Sequence, residues 1–528
     1  MKHTYLLGVD IGTSGTKAAL WSEDGELVAQ ATEEYALDRP QPSWAETDAE
    51  TWWNAVCQCI RNALAQSGID PRDVAGVGVD GLGWVLLPVD RRGEPLRPAM
   101  IWLDRRAEPE AAWLRSLPEA EHLVDLVANP LDAAYITPKI LWLKQHEPAI
   151  FEAAHMFLTS TGFVVHRLTG EFSCDYTQAY GYHFFDIRQG RWDAQAAALI
   201  GVPLDKLPPV CSSCTIVGQV TRAAAQSTGL RAGTPVIAGG LDAVVGSLGA
   251  GVARLGQTVD QGGTAGGMAL SVDHVIVEPR LIFSHHVVPG QYLFQSGTVG
   301  GGTLAWFRDT LGQAEVNAAG LLRCSPYDLM SAEAKEAPPG AHGLIFLPYM
   351  AGERTPLWNS QARGVFFGLS YKTTRADILR AIMEGCAYAV YHNMRIAESR
   401  GVSVKEWIGV GGATRSDVWC QIKADVTGKP FTLARRPGGV EGGHTLGLAV
   451  MTASALGLCD DMSARIEELL PERRTFEPSP QRHAMYEDLF GIYLDLSNKL
   501  LADFERLAAV VQAHDPFQAS GRQGVESA

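Results

Sequence analysis

Two kinds of apolar patterning divide the chain: short runs broken by glycine and a polar residue, and longer stretches with helical spacing. Residues 5–9 form an apolar run that stops at Asp10, which predicts a strand buried on both faces. A second run at 17–21 follows a turn-forming Gly12-Thr13-Ser14-Gly15, and Glu23-Asp24-Gly25 closes it. An antiparallel meander is therefore predicted to open the first domain. From Trp52 to Leu64 apolar residues recur with helical period, behind Thr47-Asp48-Ala49-Glu50, which has the spacing of a capping box. Residues 74–79 and 84–89 read as further strands, the latter closed by the turn Asp90-Arg91-Arg92-Gly93.

The opening pattern returns about 250 residues later. Val9-Asp10-Ile11-Gly12-Thr13-Ser14-Gly15-Thr16-Lys17-Ala18 aligns, with one inserted glycine, against Val259-Asp260-Gln261-Gly262-Gly263-Thr264-Ala265-Gly266-Gly267-Met268-Ala269. Either two β-turns in a glycine-rich chain look alike by chance, or a duplicated α/β domain presents one phosphate-holding hairpin from each half. A third glycine-rich stretch, Val410-Gly411-Gly412-Ala413-Thr414-Arg415-Ser416, reads as strand, tight turn and helix start. Free amides and the helix dipole there suit a phosphate or a nucleotide's ribose and base. Three such stretches at strand ends favour a nucleotide cleft.

Length sets two domains of roughly 250 residues as the expectation. With 44 basic and 59 acidic residues the formal charge is -15, which argues against nucleic acid or an anionic membrane as partner. An anionic ligand then needs local amides, lysine or a metal. Nine scattered cysteines, with Cys211 and Cys214 as the C-x-x-C pair, argue for reduced thiols and a cytoplasmic location rather than a disulfide framework. The apolar run before Asp10 is too short for a secretion signal or membrane span. From about Asp515 the chain is polar and aperiodic and is expected to be disordered.

Asp10 is the natural ligand of Mg²⁺, directly or through water, because hard cations take carboxylate oxygen. Thr13, Ser14, Gly15 and Thr16 would offer donors to a triphosphate. Lys17 either touches phosphate or lies on a solvated strand face. In Thr234-Pro235-Val236-Ile237-Ala238-Gly239-Gly240-Leu241-Asp242, a buried strand runs through two glycines into a carboxylate that opens a helix of small residues. Asp242 is either an N-cap or a general base able to take a hydroxyl proton, a role typically contributing about 10²–10⁴-fold.

With these motifs in place, the chain resembles the FGGY family of carbohydrate kinases, most of all its xylulokinase branch, over roughly residues 5–500. The second signature of that family is met by Gly364-Val365-Phe366-Phe367-Gly368-Leu369, a seven-residue spacer, and Asp377-Ile378-Leu379-Arg380-Ala381-Ile382-Met383-Glu384. Leu347-Pro348-Tyr349-Met350-Ala351-Gly352-Glu353-Arg354-Thr355-Pro356 resembles the stretch before it. The segments starting at Tyr135-Ile136-Thr137-Pro138-Lys139 and at Ile101-Trp102-Leu103-Asp104-Arg105-Arg106 are similar to the first signature and to the sugar-facing segment.

The resemblance implies an α/β fold of two actin-like ATPase (ribonuclease H-like) domains flanking a central catalytic cleft. Residues 1–248 would form the N-terminal sugar-binding domain and 249–512 the C-terminal nucleotide-binding domain, with 513–528 as a polar tail. It implies ATP-dependent phosphorylation of a primary hydroxyl, D-xylulose to D-xylulose 5-phosphate. Asp242 would be the base and Asp10 would stand near Mg²⁺. Gly12, Thr13, Ser14, Gly15, Gly263, Thr264, Gly301, Gly412 and Ser416 would hold ATP. Trp102, Asp104, Gly81, Leu82 and Asp242 would line the sugar site. The partners implied are a small-molecule sugar and, as often in the family, a second copy of the chain.

Two departures leave the substrate open. Where xylulokinases carry a Gln-Met-His loop, this chain has Val79-Asp80-Gly81-Leu82-Gly83-Trp84-Val85, in which Asp80 and Trp84 either wall the pocket or serve as turn and core residues. After Asp242, Ala243 stands where relatives carry an amide, and an unpaired buried hydroxyl costs about 1–3 kcal/mol. D-ribulose, a tetritol such as erythritol, a hexulose or an aldonate such as gluconate therefore stay open as substrates. His444, in Glu441-Gly442-Gly443-His444-Thr445, reads as a packing residue near the nucleotide side. Outside this class stand an actin-like ATPase that uses nucleotide as a conformational switch, and a sugar sensor without catalysis. Intact Asp10 and Asp242 speak against the sensor.

Overall fold

A computed structural model describes residues 4–437 and 439–514. The chain packs as two compact units that interleave along the sequence. Unit 1 takes the chain up to Gln257, then Ala269–Gln295 and Ala434–Arg473; unit 2 takes Thr258–Met268, Ser296–Leu433 and the chain from Arg474. The linear division expected at residue 248 thus leaves out two later segments that pack with the N-terminal part. The tail expected from residue 513 falls mostly on residues 515–528, which lie outside the described residues; Ala513 ends the helix Pro480–Ala513.

Unit 1 is built on a mixed sheet. Its strands are β1 (Tyr5–Ile11), β2 (Gly15–Ser22), β3 (Leu27–Glu34), β4 (Val74–Gly81), β5 (Ile216–Gln219), β6 (Pro235–Ile237) and β7 (Gly240–Leu241). The order is β5-β6-β4-β1-β2-β3, with β7 paired to the end of β4. The meander β1-β2-β3 is antiparallel, while β1, β6 and β7 each run parallel to β4. Helix α1 (Ala49–Ser67) covers one face, where Leu7, Val9 and Ile11 of β1 and Val77 and Val79 of β4 join Trp52, Val56 and Ile60 in one core. Its N-cap is Asp48, whose side chain accepts from Glu50 N. The expected cap Thr47 is instead held in a short strand with Glu46, opposite Ala99 and Met100.

Side chains alternate along a strand, so Gly8 and Asp10 of β1, and Gly76, Gly78 and Asp80 of β4, face away from that core. This face is bare because it receives another helix, α3 (His444–Ala455), at backbone distance. A Cβ on Gly8 would meet Thr445 O at 2.8 Å, and one on Gly76 the Thr452 side chain at 2.7 Å. Helix α2 (Asp242–Ala250) packs beside α3, again through glycine: a Cβ on Gly249 would lie 2.0 Å from Gly443 O.

The expected strand at 84–89 is shorter, Leu87–Val89, because Trp84 takes a left-handed backbone (φ 53°) and turns its ring onto Tyr135, with centroids 4.4 Å apart. Trp84 is thus buried, but outside any strand.

In unit 2 the strand Glu406–Val410 enters the 3-10 turn Gly412–Arg415 and then the helix Asp417–Thr427, whose N-cap Ser416 accepts from Trp419 N. The helix Arg375–Ser399 starts at a capping box of Thr374 and Asp377. Its Glu384 accepts from Arg380, Tyr486 and Gly340 N, so the acid and arginine of the second signature pin buried structure.

Candidate active site

Strand register assembles the acidic centre of unit 1. Asp10 and Asp80 are opposite one another on β1 and β4, and Gly240 of β7 pairs with Asp80, which delivers Asp242 at the first turn of α2. Helix α3 then brings its first residue, His444, onto the pair. Its Nδ1 lies 3.0 Å from Asp10 Oδ2. The imidazole fits because Gly246 of α2 has no side chain; a Cβ there would sit 2.3 Å from His444 Cδ2.

Burial and mutual charge then sort the protonation states. Burial opposes ionisation of Asp10, but His444, through charge and hydrogen bond, and Lys17 outweigh it and hold the carboxyl below its usual value. Asp80 is completely buried, and burial followed by the charge of Asp10 pushes it well above the carboxylate range. Burial also raises Asp242, to about 6, with Asp10 adding to the shift and His444 opposing it. At His444 burial opposes the charge, but Asp10, Asp80 and Asp242 overcome it and raise the imidazole to about 10. The cluster is therefore a set of three carboxyls around one imidazolium.

Two of these residues stand differently from their sequence reading. His444, read as packing, is the ionic partner of Asp10. Asp80, read as turn or pocket wall, is a buried strand residue facing Asp10. The sequence carries a partial signal for Asp80 alone: glycine precedes Asp10 and Asp80 by two positions on β1 and β4, which leaves that face to a close helix.

The hairpin after Asp10 closes through Gly12 N to Gly15 O at 2.9 Å, and Tyr35 OH donates to Gly12 O. Thr13 and Ser14 sit at its tip. Trp102 Nε1 donates to Thr13 Oγ1 at 3.1 Å, so the expected sugar-side aromatic is tied to the expected phosphate hairpin. Asp104 is fully buried; its oxygens accept from Arg106 and from Ala45 N, so it fixes the turn that carries Trp102. Gly81 and Leu82 are buried at the end of β4, and Gln178 Nε2 donates to the Gly81 carbonyl. Sequence reading passed over Lys139. It is wholly buried, burial lowers it to about 7, and its Nζ donates at 2.7 Å to both Trp84 O and Ile101 O, joining the two substrate-side loops.

Unit 2 gathers the remaining expected residues. Gly301 N donates to Gly263 O, Gly302 N to Thr264 O, Gly262 N to Val410 O and Ala413 N to Gly262 O, which stitches three glycine-rich stretches together. Gly411 has the left-handed φ of 84° that glycine tolerates. Together they line a cavity of about 470 Å³ with Gly263, Thr264, Gly301, Gly412, Ser416 and Tyr327 on its wall. Asp260, the counterpart of Asp10 in the repeat, is buried in an ion pair with Lys423.

Residues 5–249 match the N-terminal domain and residues 268–456 the C-terminal domain of the FGGY family of carbohydrate kinases. The chain belongs to this family. The FGGY chain is 29% identical to the xylulose kinase of Bacillus subtilis strain 168, across 93% of this chain and 96% of that one. It is 32% identical to the autoinducer-2 kinase of Klebsiella pneumoniae, across 92% of each. Among solved structures, the xylulose kinase of Rhodospirillum rubrum superposes with a TM-score of 0.84 at 31% identity, covering 95% of this chain and 100% of that one. As a member of a sugar kinase family the chain is an enzyme with the two-domain α/β fold of actin-like ATPases. No helix among the described residues is long and apolar enough to cross a membrane, and all nine cysteines are free thiols.

Proposed function

We propose that this enzyme transfers the γ-phosphoryl group of ATP to the primary hydroxyl of D-xylulose, with Asp242 as general base. The observation that carries the reading is the setting of Asp242. It opens a rigid helix beside Asp10 and Asp80, and its pKa of about 6 leaves it ionised at neutral pH, yet basic enough to take a proton as the hydroxyl attacks.

Phosphoryl transfer asks mainly for alignment and for compensation of charge on the phosphates. In this reading Trp102 packs on the sugar's carbon face, and the loop at Gly81 and Leu82 walls the sugar site. Thr13, Ser14 and the amide of Gly15 donate to the triphosphate, while Gly12 closes the hairpin that presents them. The unit 2 cavity at Gly263, Thr264, Gly301, Gly412 and Ser416 takes the nucleoside. The donors at the acidic centre fit a divalent ion: Asp10 is held ionised, and the two buried oxygens of Asp80 receive no donor among the described residues. Asp10 would hold Mg²⁺, directly or through water, and the ion would neutralise phosphate charge.

The test is ADP release over a panel of D-xylulose, D-ribulose, erythritol and gluconate, with Asp242→Ala alongside. D-Xylulose should stimulate turnover most, and the variant should lose the stimulation. Turnover highest with another panel member would replace the substrate and keep the chemistry. ATP hydrolysis indifferent to every sugar and to the variant would make the chain a nucleotide switch.

A further inference from the structure

We propose that Asp10, Asp80 and His444 form a protein-held site for a first-row transition-metal dication of the Mn²⁺ class, which fills without nucleotide. The inference takes its purpose from the kinase reading above, but its geometry stands independently.

One ligand atom from each of the three residues lies within 4.8 Å of the other two, a spacing that a single ion spans. Proximity alone would describe any acidic cluster. What distinguishes this one is Asp80, which is 0% exposed and whose two oxygens accept from no donor among the described residues. A buried carboxyl that accepts from no donor is costly to ionise, and a cation that takes the place of its proton is one of the few partners that offsets the cost. Its direction is set by register, since Asp80 lies opposite Asp10 on adjacent strands and faces the same side.

The third donor is more exposed than Asp80 but is also placed by packing. His444 turns Nδ1 to within 3.0 Å of Asp10 Oδ2. Gly246 leaves the space that its ring occupies, and Gly442 brings the start of α3 against α2, where a Cβ would lie 1.7 Å from Gly249 O. The imidazole is thus seated by backbone contacts and by the absence of two side chains.

The donor set selects the ion. Carboxylate oxygens serve Mg²⁺, Ca²⁺ and Mn²⁺ alike, whereas imidazole favours the transition series over Mg²⁺. Once the ion has displaced the protons of His444 and Asp80 to solvent, two carboxylates and one imidazole leave further positions for water or a phosphate oxygen. A purely nucleotide-borne Mg²⁺ needs no nitrogen ligand, so His444 is the residue whose chemistry separates the two cases.

The test uses the full chain without nucleotide, titrated with Mn²⁺ and followed by electron paramagnetic resonance, with pulsed measurements for nitrogen coupling. One bound Mn²⁺ per chain is expected, with coupling that changes on ¹⁵N-histidine labelling. His444→Gln should abolish the coupling and weaken binding by at least about tenfold, since even residues outside the ligand shell commonly contribute that much. Asp80→Asn, nearly isosteric, should weaken binding while keeping the nitrogen coupling, and circular dichroism would check that both variants fold. Mn²⁺ bound without nitrogen coupling, or with wild-type affinity in both variants, overturns the site and leaves an ion pair. Sugar-dependent ADP release with Mg²⁺ in the same preparations separates the two proposals. Its presence without Mn²⁺ binding removes only the metal site, and Mn²⁺ binding without it removes only the kinase reading.

Discussion

Asp10 and Asp80 stand directly opposite one another on adjacent parallel strands, two residues beyond an equally matched Gly8 and Gly78. Like charges so placed cannot both ionise freely: His444 helps hold Asp10 below its usual range, while burial and the charge of Asp10 push Asp80 well above it. At the matching position of the second glycine-rich stretch, Asp260 is paired with Lys423 instead.

A base works only in its ionised form, and Asp242 is raised to about 6 by burial, with Asp10 adding and His444 opposing. kcat/KM should therefore fall as pH drops through about 6 and should level off above it. Asp242→Asn should lower kcat by about 10²–10⁴. A wild-type profile flat across this region would remove Asp242 as the base.

A pair of glycine substitutions separates packing from propensity. In Gly249→Ala the new methyl would lie 2.0 Å from Gly443 O, a backbone atom that cannot swing aside. The expected loss is about 1–3 kcal/mol of stability, together with lower activity as α3 shifts. Gly320→Ala, exposed in the helix Gln313–Leu322 with nothing near its added Cβ, should stabilise by about 0.5–1 kcal/mol. Chemical denaturation of both variants reads the contrast; equal shifts of the same sign would contradict the close approach of α2 and α3.

Trp102→Phe keeps a ring but removes the donor to Thr13 Oγ1. A net hydrogen bond contributes about 0.5–1.5 kcal/mol, so kcat/KM should fall by roughly 2- to 12-fold. Because the bond joins the two loops, KM should rise for both ATP and sugar. A rise for sugar alone would confine Trp102 to the sugar.

On the nucleotide side, Gly412 has open space around it on the wall of the unit 2 cavity. Gly412→Phe would fill that space, so ATP affinity should drop by more than tenfold, about 1.4 kcal/mol or more, with little change in thermal stability. Isothermal titration with ATP is the check; unchanged affinity would move the nucleoside elsewhere.

The strands at Tyr5–Ile11 and Gly15–Ser22, the helix from Asp242 and the turn at Gly412 were legible because local chemistry decides them: apolar runs, turn glycines and a carboxylate at a helix start. Ser416 was legible as a helix start and proved to be an N-cap. His444 was not, since its partner Asp10 lies far away in the chain and no local periodicity reports on it. Asp80 lies in a strand rather than a turn, and its place opposite Asp10 comes from strand register, which a single segment does not encode. Lys139 looked like one more polar residue in a helix, whereas its three donors serve carbonyls from two remote loops.

The bare strand face beneath α3 has a consequence for variation far from the chemistry. Gly76 touches none of the carboxyls, yet it sits under Thr452, two turns along the helix from His444. A methyl group added there would act as a shim, tilting α3 and changing the reach of His444 towards Asp10. The charge state of the centre can thus be tuned by substitutions that never enter it, and drift at such a remote position would surface as a changed pH profile before it surfaced as a lost fold.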